Sequence, residues 1–190
     1  MSGKAKWAMV IDVSKCISCH ACTASCRIEN EVKTEENRCW VTDEEVGKYP
    51  SVHMLKVPHL CNHCETTPCV DICPVDATGK NEEGIVFIDK EKCIGCFACV
   101  VACPYGARIK DEEDKKADKC DFCAHRLENG MLPVCVSTCT TQARFFGDLN
   151  DPESIVSKLI KDNKYQVLLP EENLGPSVYY IGMEDYLAIK

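Results

Sequence analysis

Sixteen of the seventeen cysteines in this 190-residue chain fall into four groups of one form, C-x2-C, a variable gap, then C-x3-C. The groups are Cys16, Cys19, Cys22 and Cys26; Cys61, Cys64, Cys69 and Cys73; Cys93, Cys96, Cys99 and Cys103; and Cys120, Cys123, Cys135 and Cys139. Their middle gaps are two, four, two and eleven residues. Cysteine makes up about 9% of the chain, near the level at which composition alone signals special sulfur chemistry. Such a load means disulfides in a small secreted scaffold, structural zinc, or iron–sulfur clusters. Aromatic residues are only 7%, so a conventional core is thin and something besides side-chain packing must hold the middle together.

The spacing discriminates among these chemistries. Groups one and three share the run C-x2-C-x2-C-x3-C, and Pro104 follows the third. This is the run with which bacterial ferredoxins hold [4Fe–4S] clusters. Closely spaced cysteines on a tight loop turn three sulfurs toward one cube. The fourth, expected near the start of a helix, points away and ligates a neighbouring cluster. Proline after it suits a backbone that changes direction. Four groups provide sixteen ligands, enough for four [4Fe–4S] clusters. A disulfide framework fits poorly with an odd cysteine count, crowded thiols and no secretion signal. Zinc remains an alternative, because groups two and four can be cut into C-x2-C pairs. The stretch "CISCH", Cys16 to His20, matches the pattern of c-type haem attachment, but that chemistry would strand Cys22 and Cys26. "CNH" at Cys61 opens like a Rieske site and lacks a C-x-x-H partner. His20, His63 and His125 stand beside these cysteines, either as ordinary polar loop residues or as groups that tune a cluster through hydrogen bonds. Cys39, the seventeenth, reads as a free packed thiol.

The net charge of −8 argues against a nucleic-acid partner, which calls for a basic face. The acidic runs "TDEEVG" and "KDEEDKKADK" read as solvated loops. No apolar run of 18 residues is present, so no membrane span of its own is expected. The N-terminus "MSGKAKWAMVIDVSKC" lacks both a signal-peptide core and a twin-arginine pair. Export is therefore expected to depend on another chain.

Strand, cysteine loop and helix alternate along the sequence. "WAMVID" before Cys16 and "GIVFID" before Cys93 are short apolar runs ending in aspartate, each leading into K-C-I-x-C. They form an internal repeat offset by 77 residues, the mark of a duplicated unit. "VHMLKVPHLC" reads as a strand entering group two. Helices are expected to be short and to start around the last cysteine of a group, as in "CTASCRIENEV". Farther on, Asp151 is placed to N-cap a helix with Pro152 at its first position. Ile155, Val156, Leu159 and Ile160 would form that helix's apolar face. The tail "YQVLLPEENLGPSVYYIG" reads as an extended arm with turns, packing on its own domain or on a partner.

The ordered gaps, and the pieces "HLCNHCETTPCVDICPVDAT", "GIVFIDKEKCIGCFACVVACPYGAR", "KADKCDFCAHRLENGMLPVCVSTC" and "FGDLNDPESIVSKL", resemble one family. It comprises the four-cluster [4Fe–4S] electron-transfer subunits of the molybdenum or tungsten bis-pterin oxidoreductases, the dimethyl sulfoxide reductase family. The resemblance covers almost the whole chain, and the sulfur- and arsenic-reducing members are similar in size. It implies an α+β fold of tandem ferredoxin-like halves with crossed ligation, plus a C-terminal helix and extended arm. Residues 1–60 and 104–150 would form the first half, carrying groups one and four. Residues 61–103 would form the second, and residues 151–190 the helix and a partner-docking arm. Cluster 1 would take Cys16, Cys19, Cys22 and Cys139; cluster 2, Cys120, Cys123, Cys135 and Cys26. Cluster 3 would take Cys61, Cys64, Cys69 and Cys103; cluster 4, Cys93, Cys96, Cys99 and Cys73. Arg27 and Thr140 stand where the pattern has proline, and neither change removes a ligand.

The function so implied is electron conduction through four [4Fe–4S] clusters by a non-catalytic subunit. The partners would be a molybdenum or tungsten bis-pterin catalytic subunit and a membrane quinone-reactive subunit. The first half would lie near the catalytic subunit and the second near the quinone side. The complex would be membrane-associated through partners, on the periplasmic face by co-export with the catalytic subunit, or else cytoplasmic. Two rival readings stand beside it. One is a polyferredoxin-like wire feeding a hydrogenase, formate dehydrogenase or tungsten aldehyde enzyme. The other is a zinc-stabilised interaction module without a redox role.

Overall fold

The computed structural model describes residues 4–33 and 35–183. Residues 1–3 and 184–190 of the expected first half and arm lie outside the described residues. The strands in chain order are β1 (Trp7–Asp12), β2 (Cys39–Lys48), β3 (Ser51–Leu60), β4 (Thr78–Lys80), β5 (Val86–Ile88), β6 (Arg108–Asp111), β7 (Lys116–Lys119), β8 (Arg144–Asp148), β9 (Tyr165–Gln166) and β10 (Val178–Ile181). The helices are α1 (Ala21–Glu29), α2 (Pro68–Asp71), α3 (Ala98–Val101), α4 (Ala124–Leu127), α5 (Val134–Ser137) and α6 (Ile155–Asp162). The result is a small mixed fold of helices and strands.

β1 is the "WAMVID" run, and its Ala8, Met9, Val10 and Ile11 are fully buried. Such a run suits a strand covered on both faces. β1 pairs antiparallel with β8 on one side and parallel with β10 on the other, giving the order β8-β1-β10-β9. Three two-stranded ladders join β2 to β3, β4 to β5 and β6 to β7. "GIVFID" supplies β5 and "VHMLKVPHL" supplies β3.

The tail takes the first of its two open courses. β10 is an inner strand of the four-stranded sheet, and Val178, Tyr180 and Met183 are buried on their own chain. The segment just before it straps the second cysteine group to this sheet. Glu65 N–H donates to Gly175 O at 2.8 Å, Thr66 N–H to Leu174 O at 3.0 Å and Ser177 N–H to Asn62 O at 2.8 Å. Tyr180 Oη donates to Pro58 O at 2.9 Å in the interior. At the start of β1, Trp7 Nε1–H donates to Glu83 Oε2 at 3.1 Å, tying the strand to the turn before β5.

Two expectations about helices are corrected. Asp151 does not cap α6. Its Oδ1 accepts from Glu153 N–H at 2.9 Å in the preceding turn, and Ser154 is the N-cap, its Oγ accepting from Ser157 N–H. The short side chain of Asp151 closes an Asx turn onto the backbone two residues on, which delays the helix by one turn. Within α6 only Val156 is fully buried, whereas Ile155 is 48% exposed. The cysteine helices also begin earlier than expected. α2, α3 and α5 start beside the third cysteine of their groups and end before the fourth. In α1 both Cys22 and Cys26 lie inside the helix. Residues i and i+4 stand one turn apart on one helical face, so C-x3-C is itself the helical turn.

A buried ion pair closes the space between α1 and the β6–β7 ladder. Arg38 Nε donates to Asp118 Oδ2 at 2.6 Å, and its Nη2 to Oδ1 at 2.8 Å. Lys90 Nζ approaches Asp118 at 3.3 Å from a more exposed position. Arg38→Ala leaves Asp118 buried with only this weaker partner. The expected loss is about 3 kcal/mol, the lower end for breaking a buried pair, measured by anaerobic denaturant unfolding of the loaded protein.

Candidate metal centres

All four C-x2-C loops turn in the same way. The residue before the second cysteine is left-handed in each: Ser18 (φ 55°), His63 (φ 44°), Gly95 (φ 69°) and Phe122 (φ 57°). This conformation reverses the chain tightly enough to put both sulfurs on one side. At Gly95 the close approach is also steric, because an added Cβ would lie 2.0 Å from Lys115 O. His20 and Phe97, at matching positions ahead of the third cysteine of groups one and three, share φ values of 56° and 57°.

Beyond the loops, three groups end alike. Asp76, Gly106 and Gln142 stand three residues after Cys73, Cys103 and Cys139, and all are left-handed. Ala77 N–H then donates to Cys73 Sγ at 3.3 Å, and Ala143 N–H to Cys139 Sγ at 3.2 Å. Donors aimed at sulfur favour the thiolate that a metal needs.

The fold brings cysteines of different groups together. One cavity is lined by Cys61, Cys64, Cys69 and Cys103. A second is lined by Cys93, Cys96, Cys99 and Cys73. A third is lined by Cys120, Cys123, Cys135 and Cys26, with Cys39 at its wall. Elsewhere Cys16 lies near enough to Cys22 and Cys139 for their charges to act on it. Cys19 Sγ lies 3.9 Å from Thr140 Oγ1, beside Cys139. Cys19 and Cys96 are exposed, whereas Cys120, Cys123 and Cys135 are buried. None of the seventeen cysteines is in a disulfide.

Burial dominates the thiols' electrostatics. It pushes Cys64 up to about 12, with the like charges of Cys61, Cys103 and Cys69 adding. It pushes Cys26 to about 12, with Cys135 and Cys123 adding and Arg38 and Arg144 opposing. Cys135 rises to about 11 by burial, opposed first by Arg144. Cys22 and Cys39 are exceptions, because their mutual hydrogen bond outweighs burial. That bond and then burial raise Cys39 well above an ordinary thiol, while the same bond holds Cys22 low. Cys39 is therefore a packed thiol beside Cys22 and Arg144.

Two buried arginines face these sulfurs. Arg108 Nη2 donates to Cys69 Sγ at 3.1 Å and to Thr78 Oγ1 at 2.8 Å. Arg144 Nη2 donates to Cys39 Sγ at 3.2 Å and to Cys22 Sγ at 3.7 Å. Each is 3% exposed. Asn30 Nδ2 reaches both Cys26 Sγ at 3.5 Å and Cys123 Sγ at 3.8 Å, spanning two groups.

Among the three histidines beside the cysteines, His20 and His125 are exposed, and His125 Nε2 pairs with Glu29 Oε1 at 2.9 Å. His63 is fully buried and stacked on Phe122, with centroids 3.8 Å apart. Its Nδ1 accepts from Val86 N–H at 3.0 Å, which puts the ring proton on Nε2. Burial, with Lys119, Arg108 and Lys80 adding, keeps His63 neutral. It joins the loop of group two to the loop of group four.

The donor set is all sulfur, and the sulfurs line cavities instead of meeting at a point. Among the described residues, no three His, Cys, Asp or Glu side chains are arranged to hold a single metal ion, as a zinc site with sulfur at about 2.3 Å requires. Thiolates around a cavity, met by N–H donors and cations, fit iron–sulfur clusters. The comparisons with known proteins agree. The family model for the 4Fe-4S dicluster domain matches residues 52–149, and that for a 4Fe-4S binding domain matches residues 13–32. The fold and its cysteine loops thus define an iron–sulfur protein of the 4Fe-4S ferredoxin type.

Relatives narrow the family. The chain is 44% identical over 188 residues to a tetrathionate reductase subunit of Salmonella typhimurium, covering 97% of this chain and 75% of the relative. It is 40% identical over 173 residues to a polysulfide reductase chain of Wolinella succinogenes, covering 90% of each. It is 35% identical over 225 residues to the arsenate respiratory reductase iron-sulfur subunit of Shewanella sp., covering 91% of this chain and 94% of the relative. The chain belongs to the family of 4Fe-4S electron-transfer subunits of the anaerobic respiratory, molybdopterin-dependent reductases, and is not their catalytic subunit.

Proposed function

We propose that this chain holds four [4Fe–4S] clusters, ligated crosswise, and conducts electrons between a molybdenum or tungsten bis-pterin catalytic subunit and a quinone-linked membrane subunit. The observation that carries this reading is the composition of the cavities. Each of three is lined by three cysteines of one group and one of another. The fourth set, Cys16, Cys19, Cys22 and Cys139, follows by the same rule. A bound cluster supplies one-electron redox chemistry with little structural change.

The chain's own residues would do the rest. C-x3-C on one helical turn sets its two sulfurs about 6 Å apart along the axis, so one short helix serves two neighbouring clusters. Groups one and four, with β1, β8 and β10, would form one half. Groups two and three would form the other, with β4 to β7 included, since Arg108 and Ala117 line its cavities. On this reading the boundary between halves would fall at about residue 119 instead of residue 103. His63 against Phe122 would be the junction where the halves meet. The exposed Cys19 and Cys96 would mark the two ends at which electrons pass to partners, and the buried groups would form the interior of the path. Membrane attachment, on the extracytoplasmic face, would come through the partners. Among the described residues no helix is long and apolar enough to cross a membrane.

The test is iron and acid-labile sulfide per chain on anaerobically purified protein, with EPR after dithionite reduction. About sixteen of each, with a broad signal from interacting reduced clusters, is the expected result. Zinc without sulfide would sink the redox reading.

A further inference from the structure

The tails of groups three and four, "CPYGAR" and "CTTQAR", place an arginine five residues after the last cysteine, at Arg108 and Arg144. Both follow the left-handed residue and alanine described above, and both open a strand, β6 and β8. Both guanidiniums are buried, and among the described residues neither is in an ion pair with a carboxylate. A buried charge without a counter-charge is strongly disfavoured, yet the fold keeps both; the similarly buried Lys119 differs in being held by the carbonyls of Val86 and Cys120.

Their placement says what opposes them. Arg108 lines both the cavity of Cys61, Cys64, Cys69 and Cys103 and the cavity of Cys93, Cys96, Cys99 and Cys73. Its Nη2 is anchored to Cys69 and Thr78, yet its Nε and Nη1 are buried without a partner. Thr78 cannot be the counter-charge; its hydroxyl donates to Phe87 O at 2.7 Å and only accepts from Arg108. Arg144 donates to Cys22 of the Cys16 set at 3.7 Å and to Cys39 at 3.2 Å, and Cys39 lines the cavity of the Cys120 set. It thus reaches from the Cys16 set to the wall of the Cys120 set, and its charge acts on Cys16, Cys26 and Cys135. Among the described residues, every side-chain hydrogen bond of either guanidinium is to sulfur or to a hydroxyl.

We propose that Arg108 and Arg144 are shared counter-charges, one in each half, each serving two neighbouring clusters and raising the reduction potentials of both. The proposal rests on the four-cluster reading above. A [4Fe–4S] centre with four thiolates carries a charge of about −2 when oxidised and one more negative charge when reduced. A fixed cation between two such centres favours the reduced state of each and offsets their mutual repulsion, the more so in a low-dielectric interior. Guanidinium suits the position because it does not deprotonate and presents five donors in a planar fork, enough to face two anions at once. These are positioning residues that set potential; they are not ligands.

The experiment is an EPR-monitored redox titration of the purified, iron-loaded protein and of Arg108→Met, Arg108→Gln, Arg108→Lys and the same three changes at Arg144. Iron and sulfide are counted in each. In Arg108→Met, two of the midpoint potentials are expected to shift downward together while the others stay. In Arg144→Met the complementary pair shifts. Both lysine variants retain wild-type potentials more closely than either neutral one. If a methionine variant loses iron, the glutamine variant carries the titration. Loss of iron in both neutral variants with full loading in the lysine variant supports the counter-charge as well. Fully loaded methionine variants with unchanged potentials overturn the proposal, as does a lysine variant that behaves like methionine. A uniform shift of all potentials overturns it too. If the wild-type protein holds zinc and no sulfide, the four-cluster reading fails and this proposal with it. Full iron and sulfide in the wild type confines any failure to the arginines.

Discussion

Anaerobic removal of the iron with a chelator is expected to abolish the cooperative unfolding transition and the near-ultraviolet dichroism of the protein. Six non-glycine residues of the cysteine loops, Ser18, His20, His63, Phe97, Phe122 and Cys123, hold left-handed backbone. At about 1–2 kcal/mol each, their combined strain is comparable to the whole stability of a typical domain, about 5–15 kcal/mol. Metal–thiolate bonds are what over-determines those loops. The helices cannot stand in for them. α2, α3, α4 and α5 are four residues long, far below the roughly 12–15 at which an isolated helix is even marginal. Arg108 and Arg144 would also remain buried without counter-charge, a cost of several kcal/mol for each ion. The measurement is thermal unfolding of chelated protein, held reduced to prevent disulfides, against the loaded protein. A cooperative transition at an unchanged temperature in the iron-free chain would show that packing suffices and that the strain is borne elsewhere.

The sequence makes legible the part of the fold that short-range geometry governs. C-x2-C and C-x3-C spacings act over one turn, so the four loops, the strands leading into groups one to three and the packed thiol of Cys39 can be read from the chain. β7, which leads into group four, lies in "KDEEDKKADK", and "TDEEVG" lies in β2; their charge reads as solvated loop, yet both are strands. The helix starts are misplaced by a reading in which the last cysteine begins a helix, because C-x3-C already spans the turn. Asp151 and Ser154 are both good caps, and only the fold decides which one the helix uses. The course of the tail has no local signal. Its pairing with β1 joins residues 9–12 to 178–181, and nothing in "SVYYIG" encodes a partner so distant. Arg108 and Arg144 escape notice because a single arginine in an acidic chain reads as a surface charge. Laying the group tails over one another would find them, since the shared A-R falls at the same offset from the last cysteine. Asn30 and Thr78 carry no such signal.

Replacement of Cys26 separates crossed from uncrossed ligation, and its effect is expected to be the loss of one cluster or its conversion to a three-iron form. By sequence Cys26 belongs with Cys16, Cys19 and Cys22. In space it lines the cavity of Cys120, Cys123 and Cys135, with Asn30 reaching both its sulfur and that of Cys123. Groups that act as one unit are not additive, whereas independent sites are. Cys26→Ala combined with Cys123→Ala is therefore expected to cost no more iron than the worse of the two alone, about four atoms at most. Cys26→Ala combined with Cys22→Ala is expected to cost up to about twice that, since two clusters lose a ligand each. Iron and sulfide per chain, with the three-iron EPR signal of the oxidised protein, read the difference. The opposite pattern, in which Cys26 and Cys22 saturate while Cys26 and Cys123 add, would mean that each group keeps its own cube. The one-turn offset between the two sulfurs of α1 would then have no role in joining two clusters. Asn30 and the pairs of Glu29 with His125 and Arg126 would then hold α1 to group four with no cluster shared between them.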